Sequence, residues 1–292
     1  MRVAPWHQTN WDWRAAANFM CGGTGTGLMF FALFATDTSA TYRLMACLAM
    51  LLVATGLTCV WLEIGRPWRA LNVFLHPQTS WMTREGMVAP FYFGCGAIAV
   101  WLGGGDGMFP VLAAALGLLF LYCQGRILTA SKGIPAWREP KIVALIISTG
   151  FVEGAGLAAL IFSLMPGNTP TWLSSLLLGA LILRRLAWKI YLDTLIQKGA
   201  PKKALDVLKG FGASFEKFVQ LLPEMLTLAT MLLGDGTGAL LALGGLVAFV
   251  AGWRLKFTIV ARAAFNQGFA LPVLPVRGQG EKAAGVKPGW SK

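Results

Sequence analysis

The chain has 292 residues, of which 56% are hydrophobic and 13% charged, and its 25 Lys and Arg against 13 Asp and Glu give a net charge of +12. Soluble domains carry about 25% charged residues, so this deficit, with a mean hydropathy of +0.61, excludes an ordinary soluble domain and predicts an all-α, polytopic membrane helix bundle. The basic excess is read as membrane-flanking charge, with no nucleic-acid partner.

Eight membrane segments are predicted, at about 15–36, 41–62, 87–104, 108–130, 141–165, 172–195, 219–234 and 238–258. Each approaches the ~20 residues that cross about 30 Å of hydrocarbon. The first segment follows a polar, Trp-rich tail (Trp6, His7, Trp11, Trp13) without a cleavage site, so it is expected to be retained. The tail reads as an interfacial aromatic belt. Segment one carries Asn18 and a run of small residues from Gly22 to Gly27 that suits close helix packing. Segment two ends at Glu63, where a carboxylate opposes the helix dipole and is expected to find a base, Arg66 or Arg126. A polar, aromatic stretch follows to Pro90, with Arg66, Trp68, Arg69, His76, Trp81, Arg84 and Glu85. Segment three is expected to start near Glu85, which either caps it or serves a ligand.

Arg126 lies one turn before the end of segment four, either snorkelling or turned inward. Lys132, Trp137 and Arg138 follow in a loop. Segment five carries Glu153. Segment six carries Arg185, Lys189 and Asp193, spaced i, i+4, i+8 on one face, and read either as a structural ion network or, with Glu153, as a proton path. Pro223 and Glu224 interrupt segment seven. The basic run 197–218 is expected to lie on the membrane surface or meet a partner. Residues 1–265 form the predicted anchor domain, and 266–292 a tail disordered or ordered against another subunit.

Eight crossings put all Lys and Arg except Arg43 on one side, so both termini and the Trp61–Pro90 stretch are predicted cytoplasmic. The five cysteines have no CxxC spacing and read as small buried hydrophobes, leaving no iron–sulfur cluster in this chain. The two histidines, His7 and His76, lie outside the segments, so no haem is expected. Metal-ligand clusters are absent from the pattern. The GTGTG run lies within a helix and is no dinucleotide fingerprint.

The run LEIGRPWRALN, followed by SWMTREG, resembles the anchor subunits of dimethyl sulfoxide reductase-type molybdoenzymes, related to the polysulfide reductase anchors. The matching residues are Leu62, Ile64, Gly65, Pro67, Arg69, Ala70 and Asn72, then Ser80, Thr83 and Glu85, with Arg126, Pro135 and Trp137 later. The family's histidine position is Glu63 here. The resemblance implies a quinone-reactive subunit in a bacterial inner membrane, partnered by a four-cluster iron–sulfur subunit and a molybdopterin catalytic subunit. It implies a quinone, ubiquinone or menaquinone, bound between the first four helices by Asn18, Glu63, Arg66, Trp68, Trp81, Glu85, Arg126 and Trp137. Partner docking falls to Arg69, His76, Arg84, Lys132 and Arg138. The charge tally places those partners in the cytoplasm, as in a complex oxidising a CoA thioester such as phenylacetyl-CoA. A small-solute transporter and a purely structural anchor are the alternatives.

Overall fold

The computed structural model describes residues 4–35, 39–64, 67–104, 107–165, 169–234 and 236–268, with short pieces at 274–275 and 282–283; the side chains of Pro67, Arg69 and Ala70 lie outside that description. The helices are α1 (Trp13–Ala32), α2 (Ser39–Glu63), α3 (Trp81–Trp101), α4 (Met108–Ala130), the single turn α5 (Pro135–Arg138), α6 (Lys141–Leu164), α7 (Thr171–Gln197), α8 (Lys202–Ser214), α9 (Leu222–Leu233) and α10 (Gly238–Phe257). Every predicted segment coincides with a helix. Four of them, α2, α4, α6 and α10 extended to Arg262, are long and apolar enough to cross a membrane, among the described residues. A two-residue antiparallel pair, Leu274–Pro275 with Lys282–Ala283, is the strand structure described.

Several boundaries differ from the sequence expectation. α3 begins at Trp81 because Ser80 caps it: Ser80 Oγ accepts from Thr83 N, 3.3 Å. Glu85 therefore stands in the second turn and is not the cap. Pro90 sits in the helix interior. The basic run after α7 is itself helical, α8 continuing through a π-helical stretch Phe215–Leu221 into α9; Pro223 follows that stretch and has no N–H to give Val219, whose carbonyl accepts from Arg184 instead. Of the cysteines, Cys21 and Cys123 are buried, whereas Cys47 is exposed.

α1 is the central element, packed on α2, α4, α6 and α10. Its small residues explain this. A Cβ on Gly27 would strike the backbone of Gly150, and one on Gly154 would strike Gly27, so α1 and α6 meet backbone to backbone. Gly156 and Gly245 make the same approach between α6 and α10. One apolar cluster fills the bundle around Leu28, Tyr42, Tyr92 and Phe162. A second, around Trp137, Trp188, Tyr191 and Phe215, closes the basic end of the chain.

The tail before α1 is tied to the segment after α10. Gln8 N donates to the Ala264 carbonyl at 2.9 Å, Asn266 N to the Trp6 carbonyl at 3.1 Å, and His7 Nε2 to the Ala261 carbonyl at 2.6 Å. Trp11 stacks on Trp137 with centroids 4.7 Å apart.

Candidate functional site

α3 presents Trp81 and Glu85 four residues apart, hence on one face. That face meets α1 and α4. Asn18 Nδ2 donates to Glu85 Oε1 at 3.3 Å, and Gln124 Nε2 donates to the Asn18 carbonyl at 2.8 Å. All three side chains are buried. Two glycines make the approach possible. A Cβ on Gly22 would strike the Gln124 amide, and one on Gly56 would sit 3.1 Å from Asn18 Cα. The cluster is thus a product of small residues on α1 and α2 and of polar ones on α1, α3 and α4.

One turn toward the helix end, Trp81 lies between two guanidinium groups. Arg84 is 4.0 Å and Arg126 4.6 Å from its ring centroid. Arg84 is fixed by donating to the carbonyls of Pro77 and Gln78, 2.9 Å each. Arg126 donates to Tyr122 Oη at 3.2 Å, and Tyr122 meets Trp81 edge-on. Arg126 is therefore turned onto an aromatic wall beside the Glu85 cluster and does not pair with Glu63.

Three buried polar atoms here have no hydrogen-bond partner among the described residues: Asn18 Oδ1, Gln124 Oε1 and Arg126 Nε. Buried orphans of this kind are few in folded proteins. The Asn18 and Gln124 oxygens add acceptors to the Glu85 carboxyl, and Arg126 adds a donor on the neighbouring face of α4, beside Trp81. A quinone carries two carbonyl acceptors, and its reduced form two hydroxyl donors, so the residue set fits that group.

The remaining sequence-selected residues lie elsewhere. Glu63 is half-buried and accepts from the Asp12 backbone N–H at 3.4 Å, beside the tail. Its expected partner Arg66 lies outside the described residues, as does the Arg69 side chain. Trp68 stands 87% exposed on a 3-10 turn, Pro67–Leu75. Trp137 is buried against Trp11 and donates from Nε1 to the Ile259 carbonyl at 2.8 Å, which removes it from the Glu85 cluster. His76 and Lys132 are exposed. Arg138 donates to the Lys132 carbonyl and to Gln267 Oε1.

The second polar centre differs from the expected one. Glu153 does not join Arg185, Lys189 and Asp193. Its Oε2 accepts from Lys256 Nζ at 2.6 Å and from Thr24 Oγ1 at 2.9 Å, with both charged side chains fully buried. Trp253 Nε1 donates to the same Thr24 hydroxyl. Arg185 instead pairs with Glu224 at 3.0 Å, and Lys189 and Asp193 are exposed. Arg184, one residue away, is fully buried and donates to Gln220 Oε1 and to the carbonyls of Val219 and Ala248. Sequence reading missed Lys256 and Gln124. Lys256 sits in the last turn of α10, where it reads as flanking charge, and Gln124 is a neutral amide inside an apolar run.

The family model for the DMSO reductase anchor subunit (DmsC) matches residues 18–198, which include Asn18, Glu85, Gln124, Arg126 and Glu153. A curated relative, a sulfite dehydrogenase subunit from Allochromatium vinosum, is 30% identical over 138 residues, covering 40% of this chain and 42% of the relative. The chain thus spans less than half the length of that relative. With the family match extending over more than half of its residues, the chain belongs to the DMSO reductase anchor subunit (DmsC) family.

Proposed function

We propose that this protein is the membrane anchor of a molybdoenzyme complex and exchanges electrons between a docked iron–sulfur subunit and a membrane quinone held at Glu85, Asn18, Gln124, Arg126 and Trp81. The observation that carries this reading is the buried Glu85–Asn18 contact with the orphaned Asn18 and Gln124 oxygens beside it and Arg126 over the neighbouring Trp81. When bound, a quinone supplies two-electron, two-proton redox chemistry. The residues' tasks follow from their chemistry. Glu85 exchanges a proton with the ring oxygen. Asn18 orients the carboxyl and leaves its own oxygen as an acceptor. The Arg126 Nε–H donates to a carbonyl, and Trp81 provides a flat wall.

The reading includes eight crossings, both termini and the Trp81–Glu85 end in the cytoplasm, and an inner-membrane location. It is supported by the one-sided basic charge and by helices at all eight apolar segments. The catalytic partner's substrate is read as a small sulfur oxyanion such as sulfite, on the relative's name. A CoA thioester rests on the charge tally alone. The exposed Trp68, His76 and Lys132 are the docking candidates. Glu63, with its backbone partner at the tail, is a lesser candidate for proton exchange than Glu85.

The test uses the purified complex and a soluble short-chain quinone. Glu85→Gln is expected to lower quinone-coupled turnover by about 10²-fold or more while electron transfer to an artificial dye is kept. Glu63→Gln is expected to change it by less than about tenfold. Unchanged quinone turnover in Glu85→Gln would sink the site assignment. Solute uptake by the isolated chain, with no redox subunits copurifying, would favour a transporter instead.

A further inference from the structure

A cleft that plays no part in the quinone site opens where α10 passes Met20 of α1 and runs into the π-helical turn Thr258–Arg262. Its volume is about 290 Å³. Met20, Val250, Trp253 and Phe257 form its apolar wall, and Arg254 and Arg262 border it from exposed positions. Among the described residues, no Asp or Glu lines it.

The two arginines differ from the ion-paired cations of the protein. Arg14, Arg185, Lys198 and Lys256 each have a carboxylate within 4.0 Å, among the described residues. Arg254 and Arg262 have none there, and Arg262 instead lies over the Phe257 ring at 5.5 Å. They bracket the final turns of a helix long and apolar enough to cross a membrane. Two uncompensated guanidinium groups at the end of such a helix, beside an apolar groove, suit an oxygen-rich anion that carries hydrocarbon. Guanidinium forks hold phosphate oxygens in pairs, and basic pockets at the cytoplasmic ends of membrane helices attract anionic headgroups.

We propose that this cleft binds one anionic phospholipid, its phosphate between Arg254 and Arg262 and an acyl chain along Trp253 and Val250 toward Met20. The lipid then bridges α1 and α10 from outside, over the two helices that the Thr24–Trp253 hydrogen bond joins. The Trp253 ring serves both, one edge toward Thr24 and its remaining surface toward the cleft.

The experiment is native mass spectrometry of the full chain in mild detergent, titrated with phosphatidylglycerol or phosphatidylcholine. Phosphatidylglycerol is expected to be retained as a single adduct at activation energies that strip phosphatidylcholine. The double variant Arg254→Gln/Arg262→Gln is expected to lose that preference by about thirtyfold, two arginines' worth of headgroup attraction. Lys209→Gln/Lys217→Gln, away from the cleft, is expected to keep it. Should the double variant fail to fold, Arg262→Gln alone, at an exposed position, is expected to show part of the loss. Equal retention of the two lipids overturns the proposal, as does an undiminished preference in the arginine variants. Full competition by millimolar inorganic phosphate would reassign the cleft to a free anion. Loss of the adduct on binding of the redox subunits would reassign it to a protein interface.

Discussion

Lys256 Nζ stands 2.6 Å from Glu153 Oε2, with neither side chain exposed at all, across the junction of α6 and α10. Removing one member of such a pair leaves an uncompensated buried charge, at a cost of about 3–5 kcal/mol, whereas replacing both with apolar groups is often near neutral. Lys256→Met is therefore expected to lower the melting temperature of the detergent-solubilised protein sharply. Glu153→Met/Lys256→Met is expected to recover most of the loss. A double variant as unstable as the single one would mean that the pair does not account for the stability at this junction.

Gly22 tests how the Glu85 cluster is assembled. A Cβ there strikes the Gln124 amide, which hydrogen-bonds the Asn18 carbonyl. Gly22→Ala is expected to reduce quinone-coupled turnover by about tenfold or more, in line with the cost of misplaced reacting groups, with helical content unchanged by circular dichroism. Gly94→Ala, with nothing within 4 Å of its Cβ, is the matched control and is expected to be silent.

Trp81 and Trp68 should separate cleanly. Trp81 is held by two guanidinium contacts, each worth about 0.5–1 kcal/mol or more when dry. Trp81→Leu frees Arg126 and is expected to raise the quinone KM several-fold. Trp68, almost wholly exposed, has no such role. Trp68→Ala is expected to leave KM and melting temperature unchanged and to weaken copurification of the redox subunits, as an exposed aromatic at an interface would.

The tail supplies a pH test. Asp12 caps α1, and its carboxyl is held below the usual range by the hydrogen bond from the Arg14 side chain and then by that from the Arg14 backbone N–H. A depressed carboxylate adds stability that is fully present above its unfolded value, near 3.8, and is lost as pH falls through the folded value. The melting-temperature gap between the native protein and Asp12→Asn is expected to be constant from pH 5 upward, in round numbers about one unit above the ordinary carboxylate range. It is expected to close on further acidification. A gap that widened toward acid would contradict the assignment.

Much of this was legible in the sequence. The apolar segments matched the helices closely because runs of about 20 hydrophobic residues leave the backbone few alternatives. Glu85 was legible because it lies in a polar stretch with a recognisable motif. The second polar centre was not. The spacing of Arg185, Lys189 and Asp193 correctly gives one face of α7, but spacing carries no information on whether that face points in or out. It points out, and Arg184, one step of helical rotation away, is the buried cation. Lys256 was hidden for a related reason. A basic residue in the last turn favours the helix dipole by itself, so nothing local signals a carboxylate 103 residues earlier.

The tie between the tail at Trp6–Gln8 and the segment at Ala261–Asn266 has a consequence for biosynthesis. α1 leaves the ribosome before α10, and the partners of the tail that precedes it are made only after α10. Thr24 likewise waits for Trp253, and Glu153 for Lys256. Closure of the bundle is therefore a late event, gated by synthesis of α10 and the segment that follows it. A stalled or truncated product would keep a lone carboxylate in its middle and an unfastened tail, features by which quality control can tell unfinished copies from finished ones.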